Sequence, residues 1–246
     1  MLKPKEDQTW KTTQNIVDKA KAIGQSYWLR TMVKTIIWDW NGTLLNDLDL
    51  SLRAVNILLK DRNIPTLTIE RYKDIFGFPV IDYYQRAGFD FDKEPFEIPA
   101  RQYVKLYAAE ASEQKLFPEV PDVLNFFKEN DYQQIVLSAM KDDNLKMMIN
   151  NAGISHFFDG IFGIRDNYAR EKVTLGKQVV EKLNLNPAKC VMIGDTLHDA
   201  EVAEQCGFDC ILFSGGHVSR QRLESKKIKI IDNHEELKSF NNFHRL

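Results

Sequence analysis

The sequence predicts an α/β protein: a doubly wound parallel sheet with a helical segment inserted after its first strand. Three observations lead there. Thr35–Trp38 is a short β-branched and aromatic run that stops at a carboxylate, Asp39, and Cys190–Ile193 is a second apolar run leading into Asp195 and Asp199. From Pro121 onward, helical and strand-like periods alternate, as they do when parallel strands are joined by crossover helices. Between Leu48 and Glu113 no strand is evident, so that stretch is helical and lies outside the sheet. Ligands of such sheets bind beyond the carboxyl ends of the strands, which makes the three acids site candidates.

Taken in order, residues 1–31 are polar and Lys-rich with a weak apolar stripe, and are expected to be an N-terminal extension; Met32, beside the first strand, is an alternative start. Asn41-Gly42 is turn chemistry, because glycine tolerates positive φ, and on local sequence alone a hairpin competes with a site loop. Leu48, Leu52, Val55 and Leu59 recur at helical spacing up to Asn63-Ile-Pro65. Thr68 is placed to cap a second helix, with Glu70 in its first turn. Phe76-Gly-Phe-Pro79 interrupts that helix; Val80–Arg86 and an amphipathic run from Pro99 to Gln114 follow, and Leu116–Pro121 reads as the return hinge.

Pro121 suits a first helical turn. Ile135–Leu137 is a strand ending at Ser138, Lys141–Asn151 a helix closed by Gly153, and a short strand surrounds Ile161 and Phe162. Thr174–Leu183 is a helix, with Lys172 just before it. Asp199–Cys206 is a helix stopped by Gly207, Cys210–Phe213 and Ile228–Ile231 are the last strands, and Asn233–Phe240 is a terminal helix. The expected division is therefore 32–47 with 116–246 as one α/β core and 48–115 as a helical unit.

Composition narrows the class. With 246 residues, 43% hydrophobic and 28% charged, the chain can bury a sizeable core. A net charge of −2 gives no footprint for nucleic acid or an anionic membrane, and no apolar run is long enough to span a bilayer. Three cysteines without CxxC spacing read as free, mostly buried thiols in a reducing cytoplasm, the expected location. His198 reads as an exposed helix-start residue, and Gly215-Gly-His217 as a plain loop, with a place at the border of the pocket as the alternative.

Two strands that end in acids suggest one shared cation site of hard oxygen ligands, best suited to Mg²⁺. With Asp39-Trp-Asn-Gly-Thr43, Ser138, Lys172 and Gly194-Asp-Thr-Leu-His-Asp199 in this order, the chain resembles a haloacid dehalogenase (HAD) superfamily hydrolase, most closely its phosphoglycolate-phosphatase-like branch. The first and last of these motifs carry the resemblance; the Ser and Lys gain meaning only from position. The resemblance implies a Rossmann-type HAD-like core, a helical cap over residues 48–115, and a phosphatase acting on a small phosphorylated substrate. It implies Asp39 as nucleophile through an aspartyl-phosphate. Mg²⁺ would sit on Asp39, the backbone carbonyl of Asn41, Asp195 and Asp199, the last directly or through water. Ser138, Lys172 and the loop at Gly42 would hold the phosphoryl group, and Thr43 would steady Asp39.

The chain departs from the family at Asn41, where most of its phosphatases carry an Asp that serves as general acid and then base. An amide cannot do that work. Its loss typically removes about 10²–10⁴-fold in rate, so aryl, acyl or anhydride phosphates, whose leaving groups need no proton, fit better than alkyl esters. On this reading an Asp at 41 should raise alkyl phosphate hydrolysis. Two alternatives follow from the same departure: a phosphonate C–P hydrolase using a cap lysine, Lys60 or Lys73, as Schiff base, and a non-catalytic phosphate-binding or partner protein on the same scaffold.

Overall fold

Eight strands and nine α-helices run through residues 33–164 and 171–239, which the computed structural model describes. The strands are β1 Thr35–Trp38, β2 Leu45–Asn46, β3 Lys115–Leu116, β4 Gln133–Lys141, β5 Gly160–Ile164, β6 Cys190–Gly194, β7 Asp209–Phe213 and β8 Lys229–Ile231. Six of them form one sheet in the order β5-β4-β1-β6-β7-β8, with every neighbouring pair parallel. β1 lies inside this sheet and is buried on both faces, which is why its sequence is a continuous apolar run and not an alternating one. Ile36 and Trp38 face one layer, with Leu124 and Phe127, while Ile37 faces the other, with Val179 and Val202.

From β1 the chain moves outward through β4 to β5, then crosses back to β6 and moves outward the other way. The adjacent carboxyl ends of β1 and β6 are therefore the switch point where such sheets bind ligands.

The inserted segment carries helices α1 Leu48–Asp61, α2 Ile69–Ile75, α3 Val80–Ala87 and α4 Glu97–Glu110. Thr68 caps α2 as expected, its Oγ1 accepting from the Arg71 N–H at 3.2 Å. The four helices enclose an apolar cluster of their own, built on Val55, Leu58, Leu59, Tyr72, Ile75, Tyr83 and Tyr84. The two connections to this segment pair as an antiparallel ribbon, Leu45 with Leu116, a feature too short to show periodicity in sequence.

The remaining helices are α5 Val120–Glu129, α6 Asp142–Asn151, α7 Glu171–Lys182, α8 Leu197–Cys206 and α9 Arg220–Leu223. Three expectations need correction. α7 begins at Glu171, so Lys172 lies inside its first turn and not ahead of it. α8 begins before Asp199: Thr196 is its cap, and Asp199 closes a capping box from the third position. The terminal helix is a 3₁₀ segment, His234–Ser239. The expected extension at 1–31 and the helix end at Phe240 lie outside the described residues. Cys190 and Cys206 are buried and Cys210 half-buried, all three as free thiols. Among the described residues no helix is long and apolar enough to cross a membrane.

Candidate active site

β1 and β6 lie in register, Trp38 beside Ile193, and the Asp39 N–H continues the ladder by donating to the Ile193 carbonyl at 2.9 Å. Asp39 and Asp195 thus leave neighbouring strands at the same end. Asn41-Gly42 does not make a hairpin: Gly42 has φ +72°, and the Trp40 carbonyl accepts from the N–H groups of Thr43, Leu44 and Leu45, winding the chain into a tight loop. A Cβ at Gly42 would lie 2.4 Å from Asp195 Oδ2, so the loop can press against the second acid only with glycine there.

Carboxylate oxygens of Asp39, Asp195 and Asp199 come within 4.8 Å of one another, and all three residues are buried. Lys172, 2% exposed, donates to Asp39 Oδ1 at 2.5 Å and to Asp199 Oδ1 at 2.6 Å. The other Asp199 oxygen accepts from the Thr196 N–H and hydroxyl, at 3.0 and 2.7 Å. Asp195 accepts from the His217 N–H at 2.6 Å and from Thr43 Oγ1 at 3.3 Å. Thr43 therefore steadies Asp195, where the sequence had suggested Asp39; its N–H folds back on Trp40, and its carbonyl accepts from His234 Nε2 at 2.8 Å.

Burial pushes the Asp39 carboxyl up to about 8, with Asp199 and Asp195 adding to the rise and Lys172 opposing it. Burial likewise lifts Asp195 to about 6. Burial acts in the same direction on Asp199, but the Lys172 charge and hydrogen bond overcome it and hold that carboxyl below its usual range. Three buried acids facing one lysine make an all-oxygen site with surplus negative charge. A hard divalent cation fits it: the ion would relieve the repulsion that now favours a proton on Asp39.

Ser138 is buried in β4, beside β1, where regular pairing with β5 ends in a register shift. Its hydroxyl accepts from the Met140 N–H at 3.1 Å; no hydrogen bond joins it to the three acids. The Gly42 N–H is already committed to Asp47 Oδ1 and the Leu45 carbonyl, both at 2.9 Å, so it is not turned toward a phosphoryl oxygen.

A second polar cluster adjoins the first and was not foreseen. The Asn41 Nδ2 donates to Asp47 Oδ2 at 2.8 Å and to Tyr107 Oη at 2.7 Å, and Tyr107 donates to the same Asp47 oxygen at 2.8 Å. His217, read as part of a plain loop, is buried: Nε2 meets Asp47 Oδ1 at 3.1 Å and Nδ1 meets Tyr72 Oη at 3.0 Å. Burial disfavours its charge, but Asp47 and Asp195 prevail and raise it to about 8. The signal for it was the Gly-Gly pair ahead of it: a Cβ at Gly216 would fall 2.2 Å from Asp195 Oδ2. His198 is not exposed either; its side chain is 11% accessible and its ring packs on Phe78 at 4.8 Å. Phe76 packs on His217 at 5.0 Å, so the Phe76–Pro79 loop meets both the α8 start and the His217 loop.

The fold and the acid cluster define a hydrolase class, and the comparisons agree. Residues 36–213 match the haloacid dehalogenase-like hydrolase family, and the chain belongs to it. A phosphoglycolate phosphatase of Caulobacter vibrioides is 26% identical over 191 residues, 74% of this chain and 80% of the relative. One from Aquifex aeolicus is 24% identical over 213 residues, 82% of this chain and 98% of the relative. The solved structure of the haloacid dehalogenase-like hydrolase SP0104 from Streptococcus pneumoniae shares the fold, with TM-score 0.75 at 22% identity, over 85% of this chain and 98% of that one.

Proposed function

We propose that this chain is a Mg²⁺-dependent phosphatase that acts on a small phosphorylated metabolite through an aspartyl-phosphate at Asp39. The observation that carries the reading is the Asp39 carboxylate at the switch point, bonded to Lys172 and grouped with Asp195 and Asp199. An Asp39 oxygen attacks phosphorus, the bond to the leaving oxygen breaks with its electron pair, and an acyl phosphate forms. Water then attacks that phosphorus, releasing phosphate and restoring the carboxylate. Asp39, the Asn41 carbonyl, Asp195 and Asp199 would hold Mg²⁺, which would offset repulsion between Asp39 and the substrate phosphate. Lys172 would neutralise charge on the transferred group, and Ser138 would bind one of its oxygens. Asn41 supplies no proton, which favours a substrate whose leaving oxygen needs none. The helical segment 48–115 would act as a cap that excludes water.

Turnover of p-nitrophenyl phosphate with Mg²⁺, and its loss in excess chelator, tests the reading; full activity under chelation would remove the metal from it. No turnover of any aryl or acyl phosphate would leave a phosphate-binding scaffold. The relatives' names make phosphoglycolate an early substrate to try.

One observation favours a second reading. Lys73 of α2 is half-buried, donates to the Ser214 carbonyl at 3.4 Å, and is lowered by burial, with Asp195 opposing that fall. An amine in that setting suits the Schiff base of a phosphonate C–P hydrolase, whereas Lys60 is exposed. Borohydride trapping at Lys73 with phosphonoacetaldehyde would support it, and an unmodified Lys73 would dismiss it.

A further inference from the structure

We infer that Asp47 is a positioning residue for this reaction, and that asparagine stands at 41 because the carboxylate stands at 47. The inference rests on the phosphatase reading. Asp47 sits between β2 and α1, buried at the root of the helical segment. Its Oδ1 accepts from the Gly42 N–H and His217 Nε2, and its Oδ2 from Asn41 Nδ2 and Tyr107 Oη. Two donors on each oxygen satisfy a buried carboxylate without a metal or an arginine.

The donors come from separate parts of the chain. Asn41 and Gly42 belong to the loop that carries Asp39; His217 follows β7, and its backbone N–H holds Asp195; Tyr107 belongs to α4. Tyr72 of α2 adds a second tie from the helical segment, to His217. One carboxylate therefore joins the loop bearing Asp39 and the loop supporting Asp195 to two helices of the insertion. When those helices are seated, the loops are held together.

The same geometry decides what can occupy position 41. The side chain there meets Asp47 Oδ2 at 2.8 Å, a distance that suits a donor. An aspartate would set two buried carboxylates face to face. The negative charge that the family's pattern places at 41 is carried here at 47, one hydrogen bond away. The expectation that Asp at 41 alone would raise alkyl phosphate hydrolysis is revised accordingly. Exchanging the two residues keeps one charge and the number of hydrogen bonds. The amide carbonyl at 47 accepts from Gly42 and His217, and its Nδ2 donates to the carboxylate at 41. The Tyr107 hydroxyl reverses, donating to 41 and accepting from 47, while the ion pair with His217 becomes a hydrogen bond to a neutral carbonyl.

The test is a cycle of Asn41→Asp, Asp47→Asn and the double variant, each at saturating Mg²⁺ with p-nitrophenyl phosphate. Asn41→Asp should lower kcat by about tenfold or more, with KM changing little, and adding Asp47→Asn should recover at least about fivefold of it. Losses that multiply, or a gain from Asn41→Asp alone, would overturn the inference. Thermal unfolding of the same proteins without substrate should show the same coupling; it separates a wrong pairing from an inactive enzyme, since a protein without turnover would still reveal whether 41 and 47 are paired. Tyr107→Phe, a milder change, should lower kcat about threefold to tenfold by deleting one hydrogen bond to a charged group. An unchanged kcat there would refute the tie to α4.

Discussion

Asp39 and Asp47 are both buried carboxylates, eight positions apart, and burial pushes against ionisation of each. The outcomes are opposite. Asp39 is raised to about 8, because Lys172 is shared with Asp199 and two further acids crowd it. Asp47 is held below its usual range, because the His217 charge and the bonds from His217, Asn41 and Tyr107 outweigh the cost of burial. What separates them is the supply of donors. A carboxylate left short of donors is poised for a cation or an electrophile; a fully satisfied one holds its neighbours in place.

The strongest way to break this contrast is to neutralise each acid. Asp39→Asn should reduce turnover by about 10⁴-fold or more, as loss of a nucleophile does, while Tm holds or rises, because burial and two neighbouring acids already disfavour a charge at this position and the amide keeps its shape. Asp47→Ala should do the reverse in emphasis. It strands the His217 charge and three other donors, and should cost about 3–5 kcal/mol of stability, read in denaturant melts. Equal stability losses in the two variants would show that their environments do not differ as described.

Cation binding gives a sharper and smaller test. Mg²⁺ at about a hundredfold above its Kd should stabilise the protein by about 2.7 kcal/mol through mass action. Asp195→Asn should abolish the shift and Tyr107→Phe should keep it, since only the first belongs to the acid cluster. A shift that survives Asp195→Asn would place the ion elsewhere.

The first cluster was legible in the sequence and the second was not. Asp39 and Asp195 each follow an apolar run, so the strand pattern itself marks them, and the parallel order around β1 follows from the alternation after Pro121. Lys172 could be assigned only by position, and its place inside α7 was missed because the Ala169-Arg-Glu-Lys172 run carries no cap signal that separates loop from first turn. Asp47, Tyr72, Tyr107 and His217 are far apart in the chain and meet only when the insertion folds onto the sheet. Each looks ordinary alone: an acid before a helix, two tyrosines in apolar stripes, a histidine after glycines. The donor count on Asp47 is a tertiary property, and no local period encodes it.

The smallest expected effect concerns what supports the acid cluster from behind. His234 is wholly buried against Phe213 and Phe117, and its Nε2 donates to the Thr43 carbonyl, on the loop between the two clusters. Its Nδ1 is buried without a partner among the described residues, so the ring is held neutral; burial lowers its pKa, with Thr43 and Glu119 opposing. The unfolded chain then takes up a proton more readily than the native one. Stability from this group is complete above the ordinary histidine value, near 6.5. It declines as pH falls below that value, at no more than about 1.4 kcal/mol per pH unit, until the folded pKa is reached. Asp39 and Asp195, both raised, run the other way over part of this range, gaining relative stability as the solution acidifies. The measurement must therefore be a difference: Tm of the native chain minus that of His234→Gln, followed from pH 7.5 to 5. Glutamine keeps a donor for Thr43 but takes no proton, so the difference should shrink or change sign below about pH 6.5. A difference independent of pH would mean that His234 titrates alike in the native and unfolded states, and one that grows on acidification that it is charged in the native state; either would show that the Thr43 loop does not depend on a neutral ring behind it.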